Sequence, residues 1–317
     1  PTHMTPRTAD RLVDMRFDAV SIGAQSFHES VLRHLRRPTT VADNRRAVAL
    51  ARERFRVGDV DLIFDVAYDE PCLLLDDLAE AFSHCVDQVS TYPLMRFGYT
   101  PFGRARHDRR REHEVLAEAT RIAAAHGYER RSVWTFNRRE SATYTSITRR
   151  RFLGFGASSA SFLGRDHLLN HFGVETYIAA VEAGRAPVAR HFHLGAPGGL
   201  AHDAFWQAYA GRIRPSELAA AYGRWTAAVR ALLPALAAVG LLRRDDDGAW
   251  ALTPRGFAAY HDLERWVTYH LIEPLWAEML EEYDTEGARA TWATPSAARR
   301  TRIWQQMARA LERERTA

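Results

Sequence analysis

The chain has 317 residues, 46% hydrophobic and 26% charged, a balance that supports a globular core and excludes a disordered chain. Net charge is +4 and the sequence contains no lysine, so every basic side chain except histidine is an arginine; acidic residues nearly balance them, and charge alone does not argue for nucleic acid. No apolar run approaches the roughly 20 residues needed to cross a bilayer. Cys72 and Cys85 are too few for a disulfide framework, and the Pro1–Pro6 start lacks the order of a secretory leader. A soluble, cytoplasmic protein is expected, and the length can hold one large domain plus a smaller one, or two medium ones.

Apolar periodicity predicts a strand at Asp18–Gly23, a helical stretch near His28–Leu35, and a helix over Ala42–Phe55 carrying Ala47, Leu50, Ala51 and Phe55 on one face. A nearly all-apolar strand follows at Val60–Phe64, then a helix from Leu73 to Cys85 with Leu74, Leu78 and Phe82 as its stripe. Val86–Tyr92 reads as a third strand, His107–Ala125 as a helix ended by His126-Gly127, and Ser132–Phe136 as another strand. Strands alternating with helices predict a parallel α/β sheet or barrel.

Residues 150–164 change to a glycine-rich, small-residue texture, and after Pro197-Gly198-Gly199 the chain turns predominantly helical. One long apolar stripe runs from Leu218 to Val239 and stops at Gly240. Leu241–Arg244 and Ala249–Leu252 flank an Asp245–Gly248 turn and predict a hairpin. Thr253-Pro254 predicts the start of a helix, with Thr as N-cap and Pro in the first turn. Helix, hairpin, helix suggests a winged-helix-like C-terminal domain. The expected organisation is an α/β domain over 1–195, including the glycine-rich extension, and a mostly helical domain over 196–317.

Several residues are chemical candidates on their own. Asp61 sits in an otherwise apolar strand, and a buried carboxylate needs a partner. His191 and His193 alternate, so a strand would place both imidazoles on one face; without a third ligand nearby in sequence, a surface or structural role is favoured over a metal or haem site. Arg109-Arg110-Arg111 and Arg149-Arg150-Arg151 are the densest basic runs and read as solvated faces, although a carboxylate-rich tetrapyrrole would also suit them. The glycines of residues 154–156 form only a weak G-x-G signal, for which close backbone packing is as good an account as a nucleotide loop. The Asp245–Asp247 turn would repel phosphate where a DNA-binding wing needs positive charge, so DNA binding is not expected.

Five segments carry a resemblance to a known family. Residues 21–27 read S-I-G-A-Q-S-F, residues 31–37 V-L-R-H-L-R-R, and residues 59–64 D-V-D-L-I-F. Residues 90–94, S-T-Y-P-L, precede Gly98-Tyr99-Thr100-Pro101, and residues 153–161 read L-G-F-G-A-S-S-A-S. In this order they resemble the oxygen-independent coproporphyrinogen III oxidase-like radical SAM family, whose patterns are S-I-G-x-Q-S-F, L-xx-L-x-R, N-x-D-L-I-Y, S-x-Y-x-L…G-T-P and L-G-x-G-A-x-A-x-S. The resemblance implies a partial (βα) radical SAM barrel lacking its first strands. It also implies S-adenosylmethionine contacts at Gln25, Arg37 and Asp61, with Ile63 flanking the adenine. An arginine suits the methionine carboxylate, an aspartate the ribose hydroxyls, and an amide can bridge polar groups.

The same resemblance implies a [4Fe–4S] cluster, an electron donor, and a tetrapyrrole or natural-product substrate that is oxidised or methylated through a 5′-deoxyadenosyl radical. Here the chain departs from the pattern. The family's CxxxCxxC motif is absent, and Cys72 and Cys85 read as ordinary helix cysteines, so no metal ligands are assigned. The chain is therefore expected to be inactive as it stands, with the cluster ligands and first strands upstream of Pro1, and the Asp18–Gly23 strand left as an open edge. In place of the family's neutral G-L-P-x-Q, residues 65–71 are D-V-A-Y-D-E-P, and Tyr144–Arg151 lacks the H-N-x-x-Y-W motif. Both shifts point to a divergent branch, such as radical methyltransferases or haem-degrading relatives. A non-enzymatic haem, tetrapyrrole or partner-binding protein is the alternative.

Overall fold

A computed structural model describes residues 1–64, 72–100, 102, 109–141 and 151–286. Two compact units result, Pro1–Thr145 and Ser146–Ala317, and the division falls ahead of the glycine-rich segment.

The first unit opens with α1 (Pro6–Asp14), capped by Thr5, and β1 (Ala19–Gln25). A short α2 (Glu29–His34) leads to α3 (Val41–Arg54), which starts in a reciprocal cap: Asp43 N–H donates to the Thr40 hydroxyl and Thr40 N–H to the Asp43 carboxylate. Then come β2 (Val57–Phe64), α4 (Cys72–Ser83), β3 (Gln88–Pro93), α5 (Arg109–Ala125), β4 (Tyr128–Arg130) and β5 (Thr135–Arg138). Each strand and helix expected from periodicity up to α5 is present among the described residues.

These strands form a five-stranded sheet in the order β1-β2-β3-β5-β4, with β1 at one edge. β1, β2 and β3 are parallel, but β5 runs antiparallel to both β3 and β4. The expectation of a wholly parallel sheet therefore fails at Ser132–Phe136. After α5 the chain makes a tight β4–β5 hairpin, closed by Arg131 N–H to Thr135 C=O at 2.9 Å and by the Ser132 and Thr135 hydroxyls at 2.6 Å. A hairpin joins antiparallel strands, so one of its arms must oppose β3.

Alternation along the strands separates the two faces of the sheet. Gly58, Val60 and Leu62 lie on the face covered by α3, and a Cβ on Gly58 would meet Ala51 of that helix at 3.6–3.7 Å. Val89 and Phe136 continue this buried apolar layer, which Leu74 and Leu78 of α4 complete. The opposite face carries Ser21, Asp59, Asp61, Gln88, Ser90 and Asn137 in adjacent register.

The second unit begins with an antiparallel sheet, β6 (Arg151–Phe152), β7 (Ala160–Leu163), β8 (Asp166–Asn170) and β9 (Val188–His193), with α6 (Val174–Glu182) between the last two. The glycine-rich segment is the β6–β7 connection. A Cβ on Gly154 would lie 2.1 Å from the Ala160 carbonyl oxygen, so the backbone comes too close there for any other residue. Asn170 Nδ2 donates to Gly156 O and Ser159 Oγ, and Gly156 N–H donates to the Tyr177 hydroxyl, which fixes the loop.

Then follow α7 (Ala196–Tyr209), β10 (Arg212–Ile213), α8 (Pro215–Tyr222), a 3-10 turn (Gly223–Thr226), α9 (Ala227–Ala238), β11 (Leu242–Arg244) and β12 (Trp250–Leu252). The stripe from Leu218 to Val239 thus serves two helices, because Gly223 adopts φ +54 and turns the chain between them. β11 and β12 form the expected hairpin, and β10 pairs with β12. Leu200, Ile213, Leu218, Tyr222, Leu233 and Leu242 make the core between helices and sheet. Thr253 caps α10 (Pro254–Val267) through Gly256 N–H, and a π-helical turn at Thr268–Ile272 leads into α11 (Glu273–Glu286).

Candidate functional site

The site is built at the C-terminal end of β1. Gln25, its last residue, has φ +67, a conformation rare for a residue with a side chain. The turn beyond it is held from two helices. Buried Asp77 of α4 accepts hydrogen bonds from Ser26 Oγ and Phe27 N–H, each at 2.6 Å. Buried Asn44 of α3 donates from Nδ2 to the Ala24 and Ser26 carbonyls, each at 2.8 Å. Strain of this kind persists only where surrounding bonds over-determine it, and four such bonds converge here.

The consequence is the direction of the Gln25 side chain. A Cβ on Gly23 would lie 2.6 Å from Gln25 Nε2 and 3.6 Å from an Arg37 guanidinium nitrogen. The missing side chain of Gly23 therefore leaves the space in which an amide and a cation meet. Arg37 follows α2, with its backbone N–H bound to Leu32 O at 2.9 Å and its side chain exposed. Among the described residues, neither the Gln25 amide nor the Arg37 guanidinium makes a side-chain hydrogen bond.

Asp61 lies on the polar sheet face beside β1. Ser21 Oγ stands 2.6 Å from Asp61 Oδ2 and 3.0 Å from Asp59 Oδ2, bridging the two carboxyls. Asp59 is 2% exposed, and Ser90 Oγ donates to its other oxygen at 3.0 Å. Gln88 Nε2 reaches Ser90 Oγ at 3.2 Å, and Asn137 Nδ2 donates to Gln88 Oε1 at 2.9 Å, so the network spans β1, β2, β3 and β5. Burial, and then the neighbouring Asp61 charge, push the Asp59 carboxyl up to about 8. Burial raises Asp61 as well, against the hydrogen bond from Ser21 that lowers it. Ile63 is half-buried on the same face, opposite Tyr92 of β3.

The four residues expected from the sequence thus divide simply. Gln25 and Arg37 converge on Gly23, while Asp61 and Ile63 share the adjoining polar face. Ser21, Asp59, Asn44 and Asp77 were not foreseen as site residues. Asp59 had a signal, since D-V-D alternation puts both carboxyls on one face of a strand. Asp77 had none, being one acid of a pair on an amphipathic helix.

Other candidates are also located. His191 Nε2 and His193 Nδ1, both exposed on the edge strand β9, contact Asp166 Oδ1 of β8 at 2.8 and 2.9 Å. Among the described residues no group of three His, Cys, Asp or Glu side chains is placed to hold a metal ion. Cys72 begins α4 and Cys85 is exposed just beyond its end. The acidic segment Asp65–Pro71 and residues Tyr144–Arg150 lie outside the described residues, as does Pro101. No described helix is long and apolar enough to cross a membrane.

No family model matches the sequence, and no curated protein matches it. Among solved structures, coproporphyrinogen III oxidase (HemN) from Escherichia coli, described as a radical SAM enzyme, is similar with a TM-score of 0.65 at 19% identity. The match covers 82% of this chain and 66% of that one, so the chain spans slightly less than two thirds of its length. At this identity the likeness is one of fold, and by fold the chain resembles that coproporphyrinogen III oxidase.

Proposed function

We propose that the end of β1 and the polar face beside it bind S-adenosylmethionine. The single observation that carries this reading is the convergence of the Gln25 amide and the Arg37 guanidinium on the space above Gly23. Arg37 would take the methionine carboxylate in a two-point contact, and Asp61 the ribose hydroxyls. Gln25 would bridge polar groups between them, and Ile63 would lie against the adenine. The donor set suits a ligand that is an amino acid at one end and a nucleoside at the other. The first unit then corresponds to part of a radical SAM barrel, with β1 as its open edge.

When bound beside a reduced [4Fe–4S] cluster, S-adenosylmethionine supplies the radical chemistry of such proteins. The residues present do not fit the cluster itself: the chain has two cysteines, one of them exposed beyond α4, and three thiolates are required. A cluster at this site would need thiolates from outside these 317 residues. We therefore assign these residues a ligand-binding role and no radical cleavage by themselves. In an intact enzyme the substrate class would be a tetrapyrrole or related natural product, oxidised or methylated in a reducing cytoplasm with an electron donor.

The order α7-β10-α8-α9-β11-β12 supports a winged-helix-like reading of the second unit. Its turn carries Asp245 and Asp247, both paired with Arg212, which speaks against a phosphate backbone as partner. A haem carrier would draw on His191 and His193, whose ring nitrogens already engage Asp166.

Calorimetric titration with S-adenosylmethionine tests the main reading. Saturable binding should weaken about tenfold or more in Arg37→Ala and in Asp61→Ala, each of which removes a charged contact. Absence of binding to the wild-type chain, or equal affinity in all three proteins, would reject it.

A further inference from the structure

We propose that Asp59 is a positioning residue which shares one proton with Asp61 through the Ser21 hydroxyl, so that Asp61 meets a ribose as a single oriented carboxylate. The inference rests on the nucleoside-binding reading of the site, and it extends that reading to a residue with no direct ligand contact.

Asp59 and Asp61 are two residues apart on β2 and project from the same face, where one hydroxyl lies 3.0 Å from Asp59 and 2.6 Å from Asp61. Two adjacent carboxylates in a buried site repel, and among the described residues neither forms an ion pair. The groups that contact Asp59 are Ser21, Ser90 and Gln88, all neutral, and Asp61 is the charged neighbour acting on it. Asn137, next in the network, is neutral too. Keeping one proton in the pair removes the repulsion and lets the other carboxylate remain an acceptor. Burial decides which partner is which. Asp59 is almost fully enclosed, whereas Asp61 is half-buried, so the proton resides on Asp59 and the charge on Asp61.

The remaining bonds set the direction. Ser90 occupies one oxygen of Asp59, and Ser21 occupies one oxygen of each carboxyl. Asp61 Oδ1 makes no hydrogen bond among the described residues, and it is the atom this arrangement leaves for a ligand hydroxyl. A doubly ionised pair would reorient the Ser21 hydroxyl and push the two carboxylates apart, displacing that acceptor.

Infrared titration of the ligand-free protein, combined with S-adenosylmethionine calorimetry, tests this. The wild-type chain should show a carboxylic-acid C=O stretch at neutral pH that disappears at alkaline pH and is missing from Asp59→Asn. Affinity for S-adenosylmethionine should fall about tenfold from neutral pH to above about pH 9 in the wild type, the worth of one charge-assisted hydrogen bond. In Asp59→Asn, which keeps the shape without the shared proton, affinity should stay flat over that range. Asp59→Ser, a smaller replacement, should be equally flat and guards against a folding defect specific to the amide. Absence of the acid band in the wild type, or the wild-type pH profile in both variants, would overturn the proposal. If the band behaves as stated but S-adenosylmethionine does not bind, the nucleoside reading fails and the positioning role with it, while the shared proton stands.

Discussion

Replacing Asp77 with alanine should strongly destabilise the first unit. The carboxylate is fully buried and accepts from Ser26 Oγ and Phe27 N–H, both at 2.6 Å. Hydrogen bonds to a charged acceptor contribute about 1.5–3 kcal/mol each, and a buried donor left without a partner forfeits its solvation as well. Two such bonds give about 3–6 kcal/mol. The Ser26 hydroxyl also accepts from His28 N–H at 3.0 Å, which limits its freedom to find a new acceptor. A loss of about 4 kcal/mol is therefore expected for Asp77→Ala. Asp77→Asn keeps one acceptor oxygen but turns an N–H toward a donor, and about 2 kcal/mol is expected. Urea denaturation, followed through Trp134, which is buried in the same unit, measures both. Neighbouring Asp76 is exposed, so Asp76→Asn should stay within about 0.5 kcal/mol of wild type. A loss below about 1 kcal/mol for Asp77→Ala would refute the claim that this carboxylate holds the Gln25 turn.

Asp59→Asn should change how stability depends on pH. The folded-state proton affinity of Asp59 is raised, so its favourable contribution is complete below the ordinary carboxylate range and is lost as pH rises through about 8. The melting temperature of the variant relative to wild type should therefore climb between about pH 4 and pH 8, and a constant difference would contradict the assignment. Gly23→Ala places a methyl group 2.6 Å from Gln25 Nε2, a flexible side-chain end, so the fold should survive while S-adenosylmethionine affinity drops about tenfold or more. Gly154→Ala meets a carbonyl oxygen at 2.1 Å and should destabilise the β6–β7 connection by about 2 kcal/mol or more, read from thermal melting. Thr40→Ala removes the reciprocal cap of α3 and should cost about 1 kcal/mol by the same measurement.

Local signals made most of the first unit readable. The β1, β2 and β3 strands and the helices between them follow from apolar spacing, and Asp61 stands out because a carboxylate in an apolar run demands a reason. The reversal at β5 was not readable, since its hairpin at Arg131–Trp134 lacks the Asn-Gly or Gly-Gly signature of a tight turn. Nor was Asp77, whose partners lie 51 and 50 residues away and meet it only once α4 has docked. The positive φ of Gln25 was equally hidden, because glutamine carries no turn signal. The apolar stripe of α8 and α9 reads as continuous, and only the conformation of Gly223 shows that it serves two helices.

The two faces of the first sheet have a consequence for how this protein can change. Val60, Leu62, Val89 and Phe136 lie under helices and supply the cohesion of the unit, while Ser21, Asp59, Gln88 and Asn137 supply almost none of its apolar packing. Substitutions on the second face leave the first in place, provided that each buried polar atom retains a partner. Preference for the proposed ligand can therefore drift on a constant scaffold, one strand residue at a time, with every other position held fixed. A deep mutational scan should show this as a period of two along β2 and β3, with intolerance to polar residues at Val60 and Leu62 and intolerance to unpaired ones at Asp59 and Asp61.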